Sequence, residues 1–354
     1  MNRRHVLSPC LPGLLAAGLL LGAQPARAVD ENAGNKAPVK VVAPDALSVN
    51  GPAGQGALRL YASRDLQDAA ALADVERAVL VFHGRLRDAN VYWASARKAA
   101  QAAGPAAKHS LLLVPQFLAD RDVSAHALPP DTLRWSLEGW MGGETATAPA
   151  ALSSFEAIDA LLALLADRQR FPKLRQVVVA GHSGGGQVVQ RYAVVGQGEG
   201  RLPGVAVRYV VANPSSYLYF HPERPVPAVA ATCPGVNQWK YGWTEAPAYA
   251  RQLSPAAYEA RYLQRDVIYL LGSADTNPQH PALDKSCAAE AQGPHRFARG
   301  HAYVDDQRQR HPGLALRQFD VPGVGHDGDA MLGSACGQAA LFDAPEAWAR
   351  CKAP

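Results

Sequence analysis

The stretch Val177-Val178-Val179-Ala180-Gly181-His182-Ser183-Gly184-Gly185-Gly186-Gln187 decides how the rest of the chain is organised. A short β-branched run stops at a glycine, a serine follows two positions later, and small residues then open an amphipathic segment. This pattern predicts a strand, a sharp turn and a helix at about 184–195. Glycines beside the serine fit a turn in which a neighbouring Cβ would collide. A phosphate-binding loop is disfavoured, because no Gly-Lys-Ser/Thr follows.

Within this stretch, Gly181-x-Ser183-x-Gly185 fits a nucleophile elbow, which lifts a serine hydroxyl above the edge of a sheet. The helix behind it would direct its first N–H groups and its positive dipole end at the serine oxygen. The alternative is a glycine-rich turn with a surface serine, since the chain contains 31 glycines. The strand before the motif and the helix after it favour the elbow.

The first 28 residues have the pattern of a secretory signal peptide. Arg3 and Arg4 precede an apolar run at 14–23, and Ala26-Arg27-Ala28 has the small-x-small form of a cleavage site. The run is too short for a membrane span, which needs about 20 apolar residues. Two arginines fit either general secretion or the twin-arginine route, and both remain open. Removing this segment takes three arginines from the formal charge of +4 and leaves +1, which gives no evident basic surface for nucleic acid.

Four cysteines remain after Cys10 is removed with the signal peptide. An even number in an exported chain predicts two disulfides, with three possible pairings. The short separation of Cys336 and Cys351 favours that pair and leaves Cys233 with Cys287. A zinc site is disfavoured, because no CxxC or clustered Cys/His spacing occurs. We therefore expect a protein of the periplasm or the extracellular space.

The length of 354 residues and the hydrophobic content of 48% suit one large α/β domain. We expect a flexible N-terminus at 29–56 and the folded domain at 57–354. The predicted strands are 57–61, 78–82, 111–114, 177–180, 205–212, 267–271 and 314–321, and the predicted helices are 89–103, 153–170 and 184–195. Their alternation predicts a doubly wound, mostly parallel sheet with helices on both faces.

An aromatic-rich insert at about 217–264 interrupts this alternation. Its position between two strands is where a cap over an active site would be expected. Its tyrosines and tryptophans would either line a pocket or form a small core of their own, and the sequence favours neither. The polar segment 276–312 follows the next strand, and a short tail with two cysteines closes the chain.

Side chains that could act as a nucleophile, an acid or a base follow four predicted strands. They are His83, Ser183, Asp275 and His326. Ligands of open α/β sheets bind outside the carboxyl ends of the strands, so these positions coincide with the expected site. Asp275 follows its strand directly in Gly-x-x-Asp, ahead of its rivals Asp284, Asp305, Asp306 and Asp320. His326 follows the last strand in Gly-Val-Gly-His-Asp-Gly, ahead of the loop histidines His280, His295, His301 and His311.

Residues 57–345 resemble the α/β-hydrolase family, in which the nucleophile, the acid and the histidine follow successive strands in that order. The resemblance implies that Ser183 is the nucleophile, His326 the general base and Asp275 the carboxylate that orients the imidazole. The family's His-Gly after its third strand matches His83-Gly84. This match implies an oxyanion hole made by the backbone N–H of Gly184 and an N–H at Gly84 or Arg85.

The expected function is that of a secreted serine hydrolase that cleaves carboxylic esters through an acyl-enzyme. No metal or organic cofactor is implied, and the substrate would be a small-molecule or polymeric ester. Trp135 and Trp140 would either line its acyl pocket or belong to the core. No nucleic-acid partner and no stable membrane insertion are expected. An amidase or peptidase on the same scaffold, or a non-catalytic binding protein, are the alternatives.

Overall fold

The computed structural model describes residue 1, residues 31–314 and residues 316–351. Apart from residue 1, the predicted signal peptide lies outside the described residues. The strands in chain order are β1 (Asp45–Gly51), β2 (Gly54–Ala62), β3 (Arg77–Phe82), β4 (Ser110–Gln116), β5 (Leu118–Ala119), β6 (Arg134–Trp135), β7 (Gln176–His182), β8 (Ala206–Ala212), β9 (Asp266–Gly272) and β10 (Arg317–Val321).

Eight of these strands form one sheet in the order β1-β2-β4-β3-β7-β8-β9-β10, and β5 pairs with β6 separately. From β4 to β10 every neighbouring pair is parallel, whereas β1 and β2 form an antiparallel hairpin at one edge. The predicted mostly parallel sheet is confirmed. Parallel strands end at the same edge, so the loops after β3, β7, β9 and β10 meet there.

Helices cover both faces of the sheet. They are α1 (Glu31–Lys36), α2 (Ala69–Leu72), α3 (Ala89–Ala103), α4 (Asp120–Ala125), α5 (Ser154–Leu165), α6 (Gly184–Val195), α7 (Pro227–Ala230), α8 (Pro255–Tyr262), α9 (Cys287–Glu290), α10 (Arg296–Arg310), α11 (Gly328–Gly333), α12 (Ala335–Phe342) and α13 (Pro345–Arg350). The core on one face includes residues of α5, α6, α8 and α10. The core on the other face includes residues of α3, α11, α12 and α13.

Alternation along the strands produces these two cores. In β3, Leu80 and Phe82 join one core, whereas Val79 and Val81 join the other. Side chains of successive strand residues point to opposite faces, so a strand covered on both sides must be apolar throughout. This is why the continuous apolar runs predicted the buried strands correctly.

The start of α5 has the local hydrogen-bonding pattern that the sequence predicted. Ser153 Oγ accepts a hydrogen bond from Phe155 N at 3.1 Å, and Glu156 Oε2 accepts one from Ser153 N at 2.6 Å. This is the predicted capping box at the start of α5. The predicted helix extended to residue 170, but α5 ends at Leu165, because the apolar repeat stops there.

The segment before residue 57 departs from the sequence expectation. The sheet begins at Asp45, because β1 pairs along its length with β2. Further upstream, Val39 N donates to Asp122 Oδ1 at 2.9 Å and Ala43 N donates to Gln116 Oε1 at 2.8 Å. These partners lie more than seventy residues away in sequence, so the local composition gave no sign of them. The folded part of the chain therefore starts before the expected boundary.

The aromatic insert packs largely as core. Tyr217 stacks on Tyr303 of α10 with ring centroids 4.7 Å apart, and Tyr262 and Tyr269 join their hydroxyl groups at 2.5 Å. All four rings are buried. The insert also reaches the loop before α5, where Trp239 Nε1 donates to the carbonyl oxygen of Gly142 at 2.6 Å. These tyrosines therefore belong to the core that α5, α6, α8 and α10 form on one face of the sheet, and not to a separate core of the insert.

Two disulfides close loops at the carboxyl half of the chain. They join Cys233 with Cys287 and Cys336 with Cys351, the pairing that sequence separation favoured. The first ties the insert to α9, and the second ties α12 to the residue after α13. In the part of the chain that the structure describes, no helix is both long and apolar enough to cross a lipid bilayer.

Candidate active site

Ser183 lies in the sharp turn between β7 and α6. Its backbone φ is 59°, in the left-handed region that a non-glycine residue rarely adopts. A Cβ on Gly181 would lie 2.2 Å from the carbonyl oxygen of Gly185, and one on Gly185 would lie 2.1 Å from that of Phe82. The two glycines are therefore a steric condition for the turn. The motif forms the predicted elbow.

Three side chains from three loops meet at this turn. The Ser183 hydroxyl lies 2.8 Å from His326 Nε2, and His326 Nδ1 lies 2.8 Å from Asp275 Oδ2. Ser183 is 7% exposed and Asp275 is 3% exposed. With a neutral imidazole, Ser183 donates to Nε2 and Nδ1–H donates to the carboxylate. This is the geometry in which a histidine can take a proton from a serine.

Electrostatics keep the two titrating partners in those forms at neutral pH. Burial, and then the positive charge of Arg296, lower the pKa of His326 to about 4. Burial acts to raise the pKa of Asp275, but the hydrogen bond from His326 and nearby positive charge hold that pKa below its ordinary value. A neutral imidazole beside an ionised carboxylate is the resting state of a general base.

The other histidines and carboxylates considered for the roles of His326 and Asp275 have contacts elsewhere in the structure. Among the histidines, His295 caps α10, His301 contacts Asp320, and His311 contacts Glu259. Among the carboxylates, Asp284 accepts from Tyr241, Asp305 lies near Arg308 and Asp306 pairs with His221. Of the rival histidines, His280 packs its ring edge against His326 at a centroid distance of 5.0 Å. The predicted residues, and not these rivals, come together at Ser183.

Comparison with solved structures agrees with this architecture. Poly(aspartic acid) hydrolase-1 from Sphingomonas sp. KT-1 matches with a TM-score of 0.56 at 22% identity, over 86% of this chain and 99% of that one. A poly(3-hydroxybutyrate) depolymerase from Bordetella parapertussis matches with a TM-score of 0.58 at 23% identity, over 85% of this chain and 91% of that one. No family model and no curated protein matches the sequence. The chain has the α/β-hydrolase fold.

In an α/β-hydrolase, the loop after β3 approaches the start of the elbow helix. Here a Cβ on Gly184 would lie 2.9 Å from the backbone nitrogen of Arg85 and 2.9 Å from Met141 Sδ. The carbonyl carbon of Gly84 lies 3.2 Å from the same point, and its oxygen accepts hydrogen bonds from His83 Nδ1 and Arg87 N. Of the two backbone donors left open by the sequence, Arg85 N is the one that the structure places beside Gly184.

Two further histidines lie beside the candidate site but take no part in the contacts from Ser183 through His326 to Asp275. His83 is completely buried, accepts from Phe117 N at 2.9 Å through Nε2 and donates to Gly84 O at 2.8 Å through Nδ1. Burial lowers its pKa to about 4. His182 packs its ring 4.7 Å from that of His326, and its Nδ1 lies 3.0 Å from the Tyr92 hydroxyl. Both have the structural positions expected of them.

A buried ion pair holds the loop after β3. Arg87 Nε donates to Asp122 Oδ2 at 2.7 Å, and both side chains are fully buried. The same guanidinium donates to the backbone oxygens of Asn35 and Ala37 at 3.0 Å each. Gln116 Nε2 in turn donates to the Arg87 carbonyl at 2.8 Å. The N-terminal segment and α4 thereby fix the loop that carries Arg85.

Sequence reasoning did not assign a role to Asn213, which follows β8. Its Oδ1 accepts from Gly272 N at 2.8 Å, and its Nδ2 donates to Gly325 O at 3.2 Å. Gly272 lies at the end of the strand that precedes Asp275, and Gly325 directly precedes His326. One buried amide therefore joins the acid loop to the histidine loop. Its position at a strand end was the available signal.

The predicted substrate contacts of Trp135 and Trp140 need correction. Both residues have 0% exposure, and both rings pack against Phe117 at centroid distances of 5.1 Å. They are core residues, which was the alternative interpretation of the sequence. The groove beside Gly142 has a volume of about 300 Å³, and its lining includes Glu138, Glu144, Trp239, Lys240 and Tyr241. Neither Trp135 nor Trp140 is among the residues that line this groove.

Among residues 31–314 and 316–351, no three His, Cys, Asp or Glu side chains lie close enough together to hold a metal ion.

Proposed function

We propose that this chain is a serine hydrolase that cleaves carboxylic esters through an acyl-enzyme. The observation that carries the proposal is the contact series from Ser183 through His326 to Asp275, with both heavy-atom distances at 2.8 Å. The low pKa of His326 supports it, because the imidazole is then free to accept a proton at neutral pH. The two structural neighbours are named as a hydrolase and a depolymerase, but at 22% and 23% identity they support the fold alone.

In the first half of the proposed reaction, Ser183 Oγ attacks the ester carbonyl carbon while its proton passes to His326 Nε2. The carbonyl oxygen becomes an oxyanion facing the N–H groups of Gly184 and Arg85. Each such donor contributes about 3–4 kcal/mol at the transition state. Asp275 stabilises the imidazolium that forms. The proton then goes from His326 to the leaving alcohol, which leaves the acyl group on Ser183.

In the second half, a water molecule takes the place of the alcohol. His326 removes its proton, the hydroxide attacks the acyl carbon, and a second oxyanion occupies the same two N–H groups. Collapse breaks the bond to Ser183, and His326 returns the proton to Oγ. The products are the carboxylic acid and the original serine.

We also infer that the protein works outside the cytoplasm, in the periplasm or beyond. Two disulfides and the sequence of residues 1–28 support this location, because disulfides persist in oxidising compartments.

The test is a fluorophosphonate probe together with a panel of p-nitrophenyl esters and matching anilides that vary in acyl length. We expect labelling at Ser183 and ester turnover, with kcat/KM lowered about 10³-fold or more in Ser183→Ala. Ser48→Ala is the matched control, since that hydroxyl is exposed on β1. Turnover of anilides without esters would favour the amidase, and full activity in Ser183→Ala would refute the mechanism.

A further inference from the structure

The two carboxylate oxygens of Asp275 are divided between two partners. Oδ2 accepts the hydrogen bond from His326, whereas Oδ1 lies 3.3 Å from Nη1 of Arg296, the first residue of α10. The side chain of Arg296 is 0% exposed and that of Asp275 is 2% exposed. The proposed catalytic acid therefore contacts a full positive charge that water does not screen.

Neighbouring contacts fix the guanidinium in this position. Arg296 Nε donates to Ser215 Oγ at 2.9 Å, and Ser215 belongs to the loop after β8. One helical turn further on, Arg299 Nη1 donates to the carbonyl oxygen of Ser215 at 2.6 Å. Both arginines thus donate to Ser215. Of the two, only Arg296 forms an ion pair with Asp275 among the described contacts.

We propose that Arg296 is a positioning residue that keeps Asp275 ionised and oriented, and thereby extends turnover into mildly acidic solution. This inference rests on the proposed function, because it concerns the same three side chains. A buried carboxylate without a cation tends to become protonated, and a protonated acid would no longer stabilise the imidazolium. With Arg296 in contact, the carboxylate keeps its charge in spite of its burial.

The same charge acts on His326. The groups that face this imidazole are the Ser183 hydroxyl and His182 from the elbow, Asp275 and His280 from the loop after β9, and Arg296 from α10. Burial, Arg296 and His280 oppose protonation of the ring, whereas Asp275 favours it. The base is therefore free at a lower pH than an ordinary histidine, whose pKa is about 6.5.

The charge of Arg296 affects activity through the protonation of His326. Protonated His326 cannot accept the Ser183 proton, so activity falls as the pH drops through the pKa of His326. Replacing Arg296 by a neutral residue removes a repelling charge and raises that pKa. The acid limb of the kcat/KM profile should then move to higher pH by about one unit.

The experiment compares the pH profiles of kcat/KM for wild type, Arg296→Gln, Arg296→Lys and Arg299→Gln. The substrate is p-nitrophenyl acetate, followed at the wavelength where the phenol and its anion absorb equally. We expect the wild-type acid limb below about pH 6. We expect it to move upward in Arg296→Gln, to be retained in Arg296→Lys, and to be unchanged in Arg299→Gln, which loses an equally buried arginine of the same helix.

The inference fails if Arg296→Gln has the wild-type acid limb, or if Arg299→Gln moves the limb by the same amount. It also fails, without any variant, if the wild-type limb and the pH dependence of fluorophosphonate labelling lie at the ordinary histidine value. The last test applies even if Arg296→Gln does not fold. These failures leave the proposed function intact, whereas activity that survives Ser183→Ala would remove the proposed function itself.

Discussion

At the scale of single residues, position along the sheet was a better guide than chemistry alone. Ser183, Asp275 and His326 were predictable because each directly follows a strand, and the structure brings them together. Asn213 follows β8 in the same way, yet an asparagine carries no nucleophile, acid or base. Its role depends on two glycine backbones from distant loops, which no local pattern reveals.

We expect Asn213→Asp to lower kcat with little change in KM. The new carboxylate oxygen would face the Gly325 carbonyl at the present 3.2 Å, so repulsion replaces a hydrogen bond and displaces the loop that carries His326. A displacement of about 1 Å at a reacting group costs about 10²-fold in rate. Steady-state kinetics on a p-nitrophenyl ester measure both constants.

A second variant at this position removes the side-chain amide and leaves the backbone conformation unchanged. Asn213 has a φ of 43°, which glycine adopts without strain, so Asn213→Gly keeps the turn and removes only the side chain. It should also lose activity, whereas Asn50→Asp on the exposed edge strand should not. An Asn213→Gly enzyme with wild-type kcat would show that the amide does not position the loops.

At the scale of elements, the periodic helices were predictable and the irregular supports were not. Helices α3 and α6 have the predicted bounds, because their apolar residues recur with helical spacing. Helix α10 lies within a segment interpreted as a polar loop, because its buried face includes arginines, a glutamine and a glycine along with Tyr303 and Val304. A helix face of this kind can be buried only when groups from distant loops form hydrogen bonds or ion pairs with its polar side chains.

The loop that carries Arg85 is held by the buried ion pair between Arg87 and Asp122. We expect Asp122→Asn to lower the free energy of unfolding by about 3–5 kcal/mol, because it leaves the buried Arg87 without a counter-charge. The two Asp122 oxygens also accept backbone N–H groups, one from Val39 and one from Ala119, and asparagine keeps only one acceptor oxygen, so one of these bonds is lost as well. Urea unfolding followed by tryptophan fluorescence gives the value.

Asp120→Asn is the matched control for that measurement. Asp120 lies in the same short helix and pairs with Arg134 at 2.8 Å, but its side chain is 67% exposed. Exposed pairs contribute about 0–1 kcal/mol, so this variant should unfold close to wild type. Equal losses from the two variants would mean that burial of the Arg87 pair is not what stabilises the loop.

At the scale of the whole molecule, the layered architecture follows from the alternation of strands and helices, which is a property of the entire sequence. The N-terminal segment and the first strand are exceptions, since their partners are Asp122, Gln116 and β2 and none of these is implied by local composition. Folding also buries the side chains of His83, His182 and His326. Their ionisation therefore links the stability of the molecule to pH.

We expect the free energy of unfolding to fall as the pH is lowered from about 7 toward 4.5. Burial lowers the pKa of both His83 and His326 to about 4, and that of His182 well below its ordinary value. Between the ordinary value of 6.5 and about 4, the unfolded chain binds protons that the folded chain excludes, so acid favours unfolding. His221 acts in the opposite direction, since its contact with Asp306 raises its pKa, but burial lowers the pKa of His295 as well, so it is one histidine against four.

Urea midpoints measured at intervals from pH 7.5 to 4.5 test this expectation. His83→Gln serves as the diagnostic variant, because a glutamine amide can still donate and accept hydrogen bonds but does not titrate. Its stability should be less sensitive to acid than that of wild type, even if it is lower at pH 7. A wild-type stability that stays level or rises down to pH 5 would mean that these imidazoles gain protons inside the folded protein, and the neutral state assigned to His326 as a base would fall with it.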